Sequence, residues 1–258
     1  MTDHSKTIAA ALMAARRDSV GLAAYPGPMP ETLAEAYAIQ DAALALDGRA
    51  VGGWKLGRVA PQFEEALGAS RFAGPILAHE IVMAGDDAAD MAIFAEGFGA
   101  AESEFMIQLG AVGDGDYDAH SIRDVVTAVR VGVEIASSPF QGIGKHGPVV
   151  TASDFGNNKS LLLGPELANW READILNMPV ETWIDGERVG AATAAPMLDG
   201  PFGAAAFLVR VLRERGLDLP AGTWVSTGAV TGIHQVQPGQ QVEARFGDDL
   251  RVRLNITG

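Results

Sequence analysis

The 258-residue chain contains no cysteine. This absence excludes disulfide bonds, thiolate metal sites and cysteine nucleophiles. Basic residues are also scarce, because 19 Lys and Arg stand against 33 Asp and Glu, which gives a formal net charge of −14. Nucleic acids and anionic membrane surfaces are bound through clustered Lys and Arg, so we expect neither to be a partner.

Long apolar runs are absent too, and none approaches the roughly 20 residues that a membrane-spanning helix needs. The apolar run at residues 8–13 is followed by Arg16 and Arg17. A secretory leader has the reverse order, with its basic residues ahead of the apolar run. We therefore expect residues 1–20 to form a short amphipathic helix in a cytoplasmic protein.

The composition is that of a globular protein, with 48% hydrophobic and 20% charged residues. Helical patterns come first along the chain, and strand-like segments with little strict alternation follow. This order favours an α+β fold over a parallel doubly wound one. We predict a single catalytic domain, residues 1–258, in which a helical N-terminal segment, residues 1–48, packs on a β-rich core, residues 51–258.

Two local patterns in the core make definite structural predictions. The Asp185-Gly186 pair inside the segment 180–189 is typical of the turn of a β-hairpin. Apolar residues recur at helical spacing over 122–129, and we predict a helix there, ahead of the strand that carries Glu134.

Three acidic residues are the most informative feature of the sequence. Glu102 and Glu104 are two positions apart, and side chains two apart on a strand point to the same face. Glu134 lies inside an apolar run of Val and Ile, where a carboxylate is costly unless it is paired or coordinated. Three carboxylates without thiolates suit Mg²⁺ or Mn²⁺. For the first pair alone, the solvent face of an edge strand is an equally good interpretation.

An ordered set of segments carries a resemblance to a known family. The segments are Gly53-Trp54-Lys55-Leu56-Gly57, Ala101-Glu102-Ser103-Glu104-Phe105, Glu134 in its apolar strand, Asp154 followed by Asn158, Leu163-Gly164, Ser226-Thr227-Gly228 and Gln237-Pro238-Gly239-Gln240. Together they resemble the 2-keto-4-pentenoate hydratase and 4-oxalocrotonate decarboxylase family of the fumarylacetoacetate hydrolase superfamily.

The resemblance implies a fold, a cofactor and a substrate class. The implied fold is a mixed β-roll or barrel core of the fumarylacetoacetate hydrolase C-terminal type, with N-terminal and peripheral helices. The implied cofactor is Mg²⁺ or Mn²⁺ bound by Glu102, Glu104 and Glu134. The implied substrate is a small anionic 2-oxo or 2-hydroxy-dienoic acid from aromatic compound catabolism, and the protein is expected to be a homo-oligomer.

The function that the resemblance favours is a hydro-lyase that adds water to a 2-hydroxy-alka-2,4-dienoate and gives a 4-hydroxy-2-oxo acid. An alternative is decarboxylation of a 4-oxalocrotonate-like diacid at the same metal site. A further alternative is hydrolytic C–C cleavage of an acylpyruvate or a fumarylacetoacetate-type substrate. A further hypothesis, from a different functional class, is a non-catalytic binding protein that keeps the fold. Three converging acids argue against it.

Three residues are candidates for catalysis. Lys55 interrupts an apolar, glycine-flanked strand and is expected to contact a substrate oxygen or to relay a proton; a lysine that extends to solvent is its other interpretation. Asp154 matches a family position but also fits a turn or a helix cap. The family often has Asn after this acid, where this chain has Phe155. His79 and the adjacent Glu80 lie where many members carry acids, so an acid–base role for His79 is a third hypothesis.

Substrate binding is predicted for Lys55 and for three residues near the family motifs. Asn158 is one of them. Thr227 and Gly228 offer a hydroxyl and a backbone donor to a substrate carboxylate, although a strand end that needs glycine explains the same residues.

Overall fold

The computed structural model describes residues 3–258. Within this range the helices are α1 (Asp3–Asp18), α2 (Leu33–Asp47), α3 (Pro61–Leu67), α4 (Pro148–Ser153) and α5 (Gly200–Glu214). The strands are β1 (Val51–Arg58), β2 (Arg71–Leu77), β3 (Ile81–Met83), β4 (Ala89–Ala92), β5 (Phe98–Leu109), β6 (Val126–Ser138), β7 (Asn158–Glu166), β8 (Val180–Ile184), β9 (Glu187–Ala192), β10 (Trp224–Ser226), β11 (His234–Gln235), β12 (Gln241–Phe246) and β13 (Leu250–Thr257).

The strands form two mixed sheets. The larger sheet has the order β2-β1-β10-β5-β6-β7-β3, and β11 also pairs with β5. Its β1–β10 and β3–β7 pairs are parallel and its other pairs are antiparallel. The smaller sheet has the order β4-β13-β12-β8-β9. The predicted α+β class with a mixed β core is therefore confirmed.

The long β5–β6 hairpin is the centre of the larger sheet, and its two faces pack against different layers. On one face, Ser103 hydrogen-bonds Thr182 of β8 (Oγ to Oγ1, 2.6 Å), and Phe105 packs edge-on against Phe246 of β12 with ring centroids 5.4 Å apart. The smaller sheet thus covers this face. Because strand side chains alternate, Glu102 and Glu104 point away from it.

Helices α1, α2 and α4 enclose a second apolar core. Thr32 caps the start of α2 by accepting a hydrogen bond from the Glu35 amide at 3.2 Å. The helix ends at Gly48, whose φ of 69° is a left-handed conformation that glycine adopts without strain. In α1, the Arg16 side chain reaches residue Asp154 after α4, so the N-terminal helix is fixed to the core by a buried ion pair.

The two local predictions have different outcomes. The hairpin is confirmed, because Asp185 and Gly186 have φ values of 51° and 82° and connect the antiparallel strands β8 and β9. The helix over 122–129 is wrong beyond residue 125. A short 3₁₀ turn, Ser121–Val125, leads directly into β6. The valines that follow are β-branched, and pairing with β5 outweighs the helical spacing of their apolar side chains.

No helix among residues 3–258 is long and apolar enough to cross a membrane. The division into a 1–48 helical segment and a 51–258 core remains a prediction about domains, although α1 and α2 do precede the first strand.

We predict that Gly74→Ala destabilises the fold. An added Cβ at Gly74 would lie 2.2 Å from the carbonyl oxygen of Phe155, so backbone would have to move. Overpacking of this kind costs about 1–3 kcal/mol. Urea unfolding should show this loss for Gly74→Ala and little change for Gly85→Ala, where no heavy atom lies within 4 Å of the added carbon. Equal stabilities for the two variants would contradict the packing at Gly74.

Candidate metal centre and cavity

The three predicted acids meet in the interior of the protein. Glu102 and Glu104 lie on β5, and Glu134 lies on β6 as the direct cross-strand partner of Glu102. Glu102 is 4% exposed, and Glu104 and Glu134 are fully buried. One oxygen from each carboxylate lies within 4.8 Å of one from each of the others. The solvent-face interpretation of the Glu102–Glu104 pair is therefore wrong, because the alternation of β5 turns both side chains inward.

Each of two carboxylates has one oxygen without a hydrogen-bond partner. These oxygens are Oε1 of Glu104 and Oε2 of Glu134. A buried carboxylate oxygen with no partner is costly, and like charges opposite each other on neighbouring strands add to that cost. A hard divalent cation would satisfy both oxygens and neutralise the cluster. The donor set therefore fits Mg²⁺ or Mn²⁺.

The remaining oxygens of Glu104 and Glu134 are held from behind. Ser226 Oγ and the Gly228 amide donate to Glu104 Oε2 at 2.5 and 2.9 Å. Asn158 Nδ2 donates to Glu134 Oε1 at 2.9 Å, and Lys55 Nζ lies 3.2 Å from the same oxygen. These contacts fix the orientation of the carboxylates, as supporting groups do around metal ligands.

Burial changes the acidities in this cluster. Desolvation raises the pKa of Glu102 to about 7, since the opposing effect of the Lys55 charge is smaller. Desolvation and the charges of Glu134 and Glu102 raise the pKa of Glu104 well above its usual value. For Lys55, burial lowers the pKa, but the attraction of the three carboxylates outweighs it, so the pKa is raised and the amine is protonated.

A cavity of about 620 Å³ opens beside the carboxylates. Lys55, Glu102 and Thr227 contribute to its wall at the inner end. Its charged lining consists of Lys55, Arg58, Arg71 and Glu102. Apolar side chains, including Phe63, Leu198 and Ile233, surround its mouth and are exposed. The cavity is large enough for a small organic acid.

The structure brings the predicted substrate-binding residues to the cluster, but with other partners. Asn158 is bound to Glu134, and the Gly228 amide is bound to Glu104. The Thr227 hydroxyl donates to the carbonyl of Phe105 at 2.8 Å. All three therefore support the ligands or the strand, and their role in binding substrate stays a prediction.

Asp154 is buried, and both of its carboxylate oxygens are occupied. Arg16 Nε lies 2.6 Å from Oδ1, and Ser138 Oγ donates to Oδ2 at 2.6 Å. Asp154 follows α4 as its C-terminal cap residue. Among residues 3–258, Asp154 makes no hydrogen bond or ion pair with the three glutamates. This placement indicates a structural anchor for α1, and the catalytic role predicted for Asp154 is without geometric support.

His79 lies in an exposed 3₁₀ turn, Ala78–Glu80, away from the carboxylates. Its Nε2 is 2.7 Å from Arg49 Nη1 and 3.4 Å from Glu80 Oε1. Glu80 also pairs with Lys159 and lines a different cavity, which lies between α1 and the larger sheet. Over residues 3–258 the structure gives His79 no contact with the glutamate cluster, so its predicted acid–base role has no support from this geometry.

Sequence reasoning missed several residues of the site. Ser226 belongs to one of the segments that carry the family resemblance, but nothing in the sequence indicates its hydrogen bond to Glu104. Arg16 binds both Asp154 and the carbonyl of Asn158, and its position behind an apolar run gave no signal of that role. Arg58 and Arg71 reach the cavity from strand ends, where a charged residue is ordinarily solvent-exposed.

Curated relatives support the resemblance at the level of sequence. The chain is 30% identical over 128 residues to a 4-oxalocrotonate decarboxylase of Pseudomonas putida, which is 48% of each chain. It is 26% identical over 159 residues to a 4-oxalocrotonate decarboxylase of Pseudomonas sp., or 61% of this chain and 60% of the relative. The matches thus span about half the length of these relatives. No family model matches the chain.

Solved structures share the fold over a greater length. The 4-oxalocrotonate decarboxylase from Pseudomonas putida G7, complexed with magnesium and adipate, covers 99% of this chain and 98% of its own, with a TM-score of 0.84 at 22% identity. A fumarylpyruvate hydrolase from Pseudomonas aeruginosa, in complex with Mn²⁺ and pyruvate, covers 79% and 88%, with a TM-score of 0.60 at 15% identity.

These comparisons confirm the resemblance, and the solved structures confirm the predicted type of fold. The prediction of a divalent cation agrees with the neighbours, whose structures contain magnesium, calcium or manganese. The relatives are named as enzymes, and 4-oxalocrotonate decarboxylases are prominent among them. None of these relatives is named as a hydratase, the activity that the sequence resemblance favours.

We predict that Glu104→Gln stabilises the metal-free protein at alkaline pH. Because the folded protein keeps protons on Glu102 and Glu104 above the unfolded pKa of about 4.5, its stability falls as pH rises toward about 7 and beyond. In EDTA at pH 8 the melting temperature of the variant should be higher than that of the wild type, and at pH 4 it should show no such increase.

The matched control is Glu65→Gln, which changes an exposed carboxylate by the same single charge. At pH 8, Mn²⁺ should raise the melting temperature of the wild type and of Glu65→Gln, and the rise should be much smaller for Glu104→Gln. Two results would contradict the predicted repulsion and metal site at Glu104. One is a lower melting temperature of Glu104→Gln in EDTA at pH 8, and the other is an increase with Mn²⁺ as large as that of the wild type.

Proposed function

We propose that the protein is a divalent-metal-dependent decarboxylase of a vinylogous 2-oxo diacid of the 4-oxalocrotonate type. The observation that carries this proposal is the trio of buried glutamates, which has two unpartnered oxygens and one member, Glu102, that lines a cavity together with Lys55. The sequence relatives and the full-length structural match support this reaction over others of the superfamily.

Glu102, Glu104 and Glu134 are proposed as the metal ligands. A bound Mg²⁺ or Mn²⁺ would supply Lewis-acid polarisation of the 2-oxo group of the substrate. The protein's own contribution is orientation, because Ser226 and the Gly228 amide hold Glu104 while Asn158 holds Glu134. These donors leave Oε1 of Glu104 and Oε2 of Glu134 free for the cation.

Lys55 is proposed as the acid–base residue of the site. Its ammonium group is buried, positively charged and close to Glu134, and the side chain lines the cavity. When the C–C bond to the departing carboxylate breaks, its electron pair moves through the conjugated system to the 2-oxygen. The Lys55 ammonium stabilises the negative charge that develops on this oxygen, and a proton from the ammonium completes the dienol.

Hydration of a 2-hydroxy-alka-2,4-dienoate is the second candidate function. One observation favours it: the dienol product of the decarboxylation is the substrate of the hydration, so the same carboxylates and Lys55 suit both. Hydrolytic C–C cleavage has less support. The adjacent His79 and Glu80 would be the obvious His–Glu pair for activating water, but they face Arg49 and Lys159 instead of the cavity.

The metabolic process, the oligomeric state and the cellular location of the protein remain predictions. Degradation of aromatic compounds is the class of process that produces unsaturated 2-oxo acids of this type. A homo-oligomer in the cytoplasm remains our expectation from the sequence.

We expect the purified protein with Mg²⁺ or Mn²⁺ to release CO₂ from 4-oxalocrotonate. The measurement combines CO₂ detection with absorbance of the dienol, and EDTA should abolish both signals. Loss of the absorbance of 2-hydroxypenta-2,4-dienoate without CO₂ would instead favour the hydratase. If neither acid reacts while an acylpyruvate is split, the hydrolase is correct and the proposal fails.

We expect Lys55→Ala to lower kcat at least about 100-fold, the range that loss of a general acid–base residue produces. The variant should still bind Mn²⁺, because the three carboxylates remain. Lys6→Ala, which removes an exposed lysine of α1, is the matched control and should keep full turnover. Wild-type kcat in Lys55→Ala would exclude this residue from the chemistry.

A further inference from the structure

We propose that Arg71, assisted by Arg58, binds the second carboxylate of the substrate at the outer end of the cavity and thereby selects diacids over monoacids. This inference rests on the proposed function, since it takes the inner end to bind the 2-oxo acid group. It assigns a specificity role to residues that neither the sequence patterns nor the comparisons single out.

The two arginines are neighbours across a strand pair. Arg58 ends β1 and Arg71 begins β2, and their Cα atoms are direct partners in the antiparallel register. Both line the cavity that Lys55 and Glu102 line at its inner end. The Arg71 side chain is only 8% exposed, so its guanidinium is enclosed by protein instead of extending into solvent.

The end of β1 reaches this cavity because its neighbour stops early. The short strand β10 pairs with β1 only from Gly53 to Lys55. Beyond Lys55, that edge of β1 has no paired strand, and the chain after Ser226 turns away to line the cavity. Arg58 is three positions after Lys55 on β1, which corresponds to about 10 Å between their Cα atoms. The basic residues of the cavity wall are thus distributed along the strand instead of forming one cluster.

The charge of the lining also points to an anion. The chain as a whole has a net charge of −14, yet the charged lining of this cavity is three basic residues and one acid. The acid, Glu102, belongs to the metal cluster. Like charges directly opposite on neighbouring strands repel, and one carboxylate beside each arginine, Glu64 for Arg58 and Asp199 for Arg71, offsets part of that repulsion.

The acids that accompany the arginines leave donors unused. Asp199 accepts from Arg71 Nη2 at 2.5 Å, and Glu64 accepts from Arg58 Nη2 at 3.2 Å. Within residues 3–258, the bond to Asp199 is the one hydrogen bond that the Arg71 side chain makes. Its Nε and Nη1 are thus available for the planar, two-pronged hydrogen bonding that guanidinium groups make with carboxylates. Asp199 fixes the side chain in place and orients it.

A binding role has a distinctive kinetic signature. If the distal carboxylate leaves as neutral CO₂, its attraction to Arg71 is strongest in the ground state and weakens toward the transition state. Such an interaction lowers KM without raising kcat. Loss of Arg71 should therefore raise KM for the diacid and leave kcat unchanged or higher, whereas damage to the fold would lower kcat.

The experiment compares two unreactive 2-oxo acids that differ in one carboxylate. Binding of 2-oxoadipate and 2-oxohexanoate to the Mn²⁺-loaded protein is measured by calorimetry. We expect the wild type to prefer the diacid at least about tenfold, as one charge-assisted hydrogen bond suffices to produce. Arg71→Gln should lose this preference with unchanged affinity for the monoacid, and Arg71→Lys should retain part of it.

Arg210→Gln is the matched control, since it removes one positive charge from an exposed position of α5 outside the cavity. It should bind both acids as the wild type does. Equal affinities of the wild type for the two acids would overturn the role of Arg71 and leave the proposed function standing. Failure of both acids to bind would overturn the proposed function as well. A diacid preference that survives in Arg71→Gln would also contradict the assignment.

Discussion

The repulsion among three buried carboxylates is the constraint on which the rest of the site depends. Glu102 and Glu134 are cross-strand partners, and Glu104 is on the same face of β5, so the β5–β6 hairpin forces the charges together. Such an arrangement is costly in an apolar interior. Lys55 and neutral hydrogen-bond donors offset part of this cost. Two carboxylate oxygens still lack a partner, and a bound cation would offset the rest.

The supporting groups come from parts of the chain that are distant in sequence. Ser226 ends β10 and Gly228 follows it, Asn158 begins β7, and Lys55 is inside β1. Each is positioned by its strand in the larger sheet, and the smaller sheet stiffens the opposite face through the contacts of Ser103 and Phe105. The two-sheet architecture thus holds the three glutamates on a rigid frame, while loops and strand ends contribute much of the cavity wall.

The glutamate cluster could be predicted from sequence because its signal is local. The spacing of two between Glu102 and Glu104, and the apolar context of Glu134, each contain the physical reason for burial. Lys55 was recognisable for the same reason. The role proposed for Arg71 was not, because it depends on where β10 ends and on a hydrogen bond to Asp199, 128 residues further along the chain. The helix expected over 122–129 failed for a related reason, since strand pairing with β5 is a non-local interaction that outweighs local periodicity.

The buried contacts of Arg16 give the first helix an importance that its surface position conceals. Through one guanidinium group, α1 holds the side chain of Asp154 and the main chain at Asn158, the residue that orients Glu134. Loss of α1 would therefore remove a support of Asn158, and through it a support of Glu134. A version of the protein without this helix would need another contact to hold that part of the main chain in place.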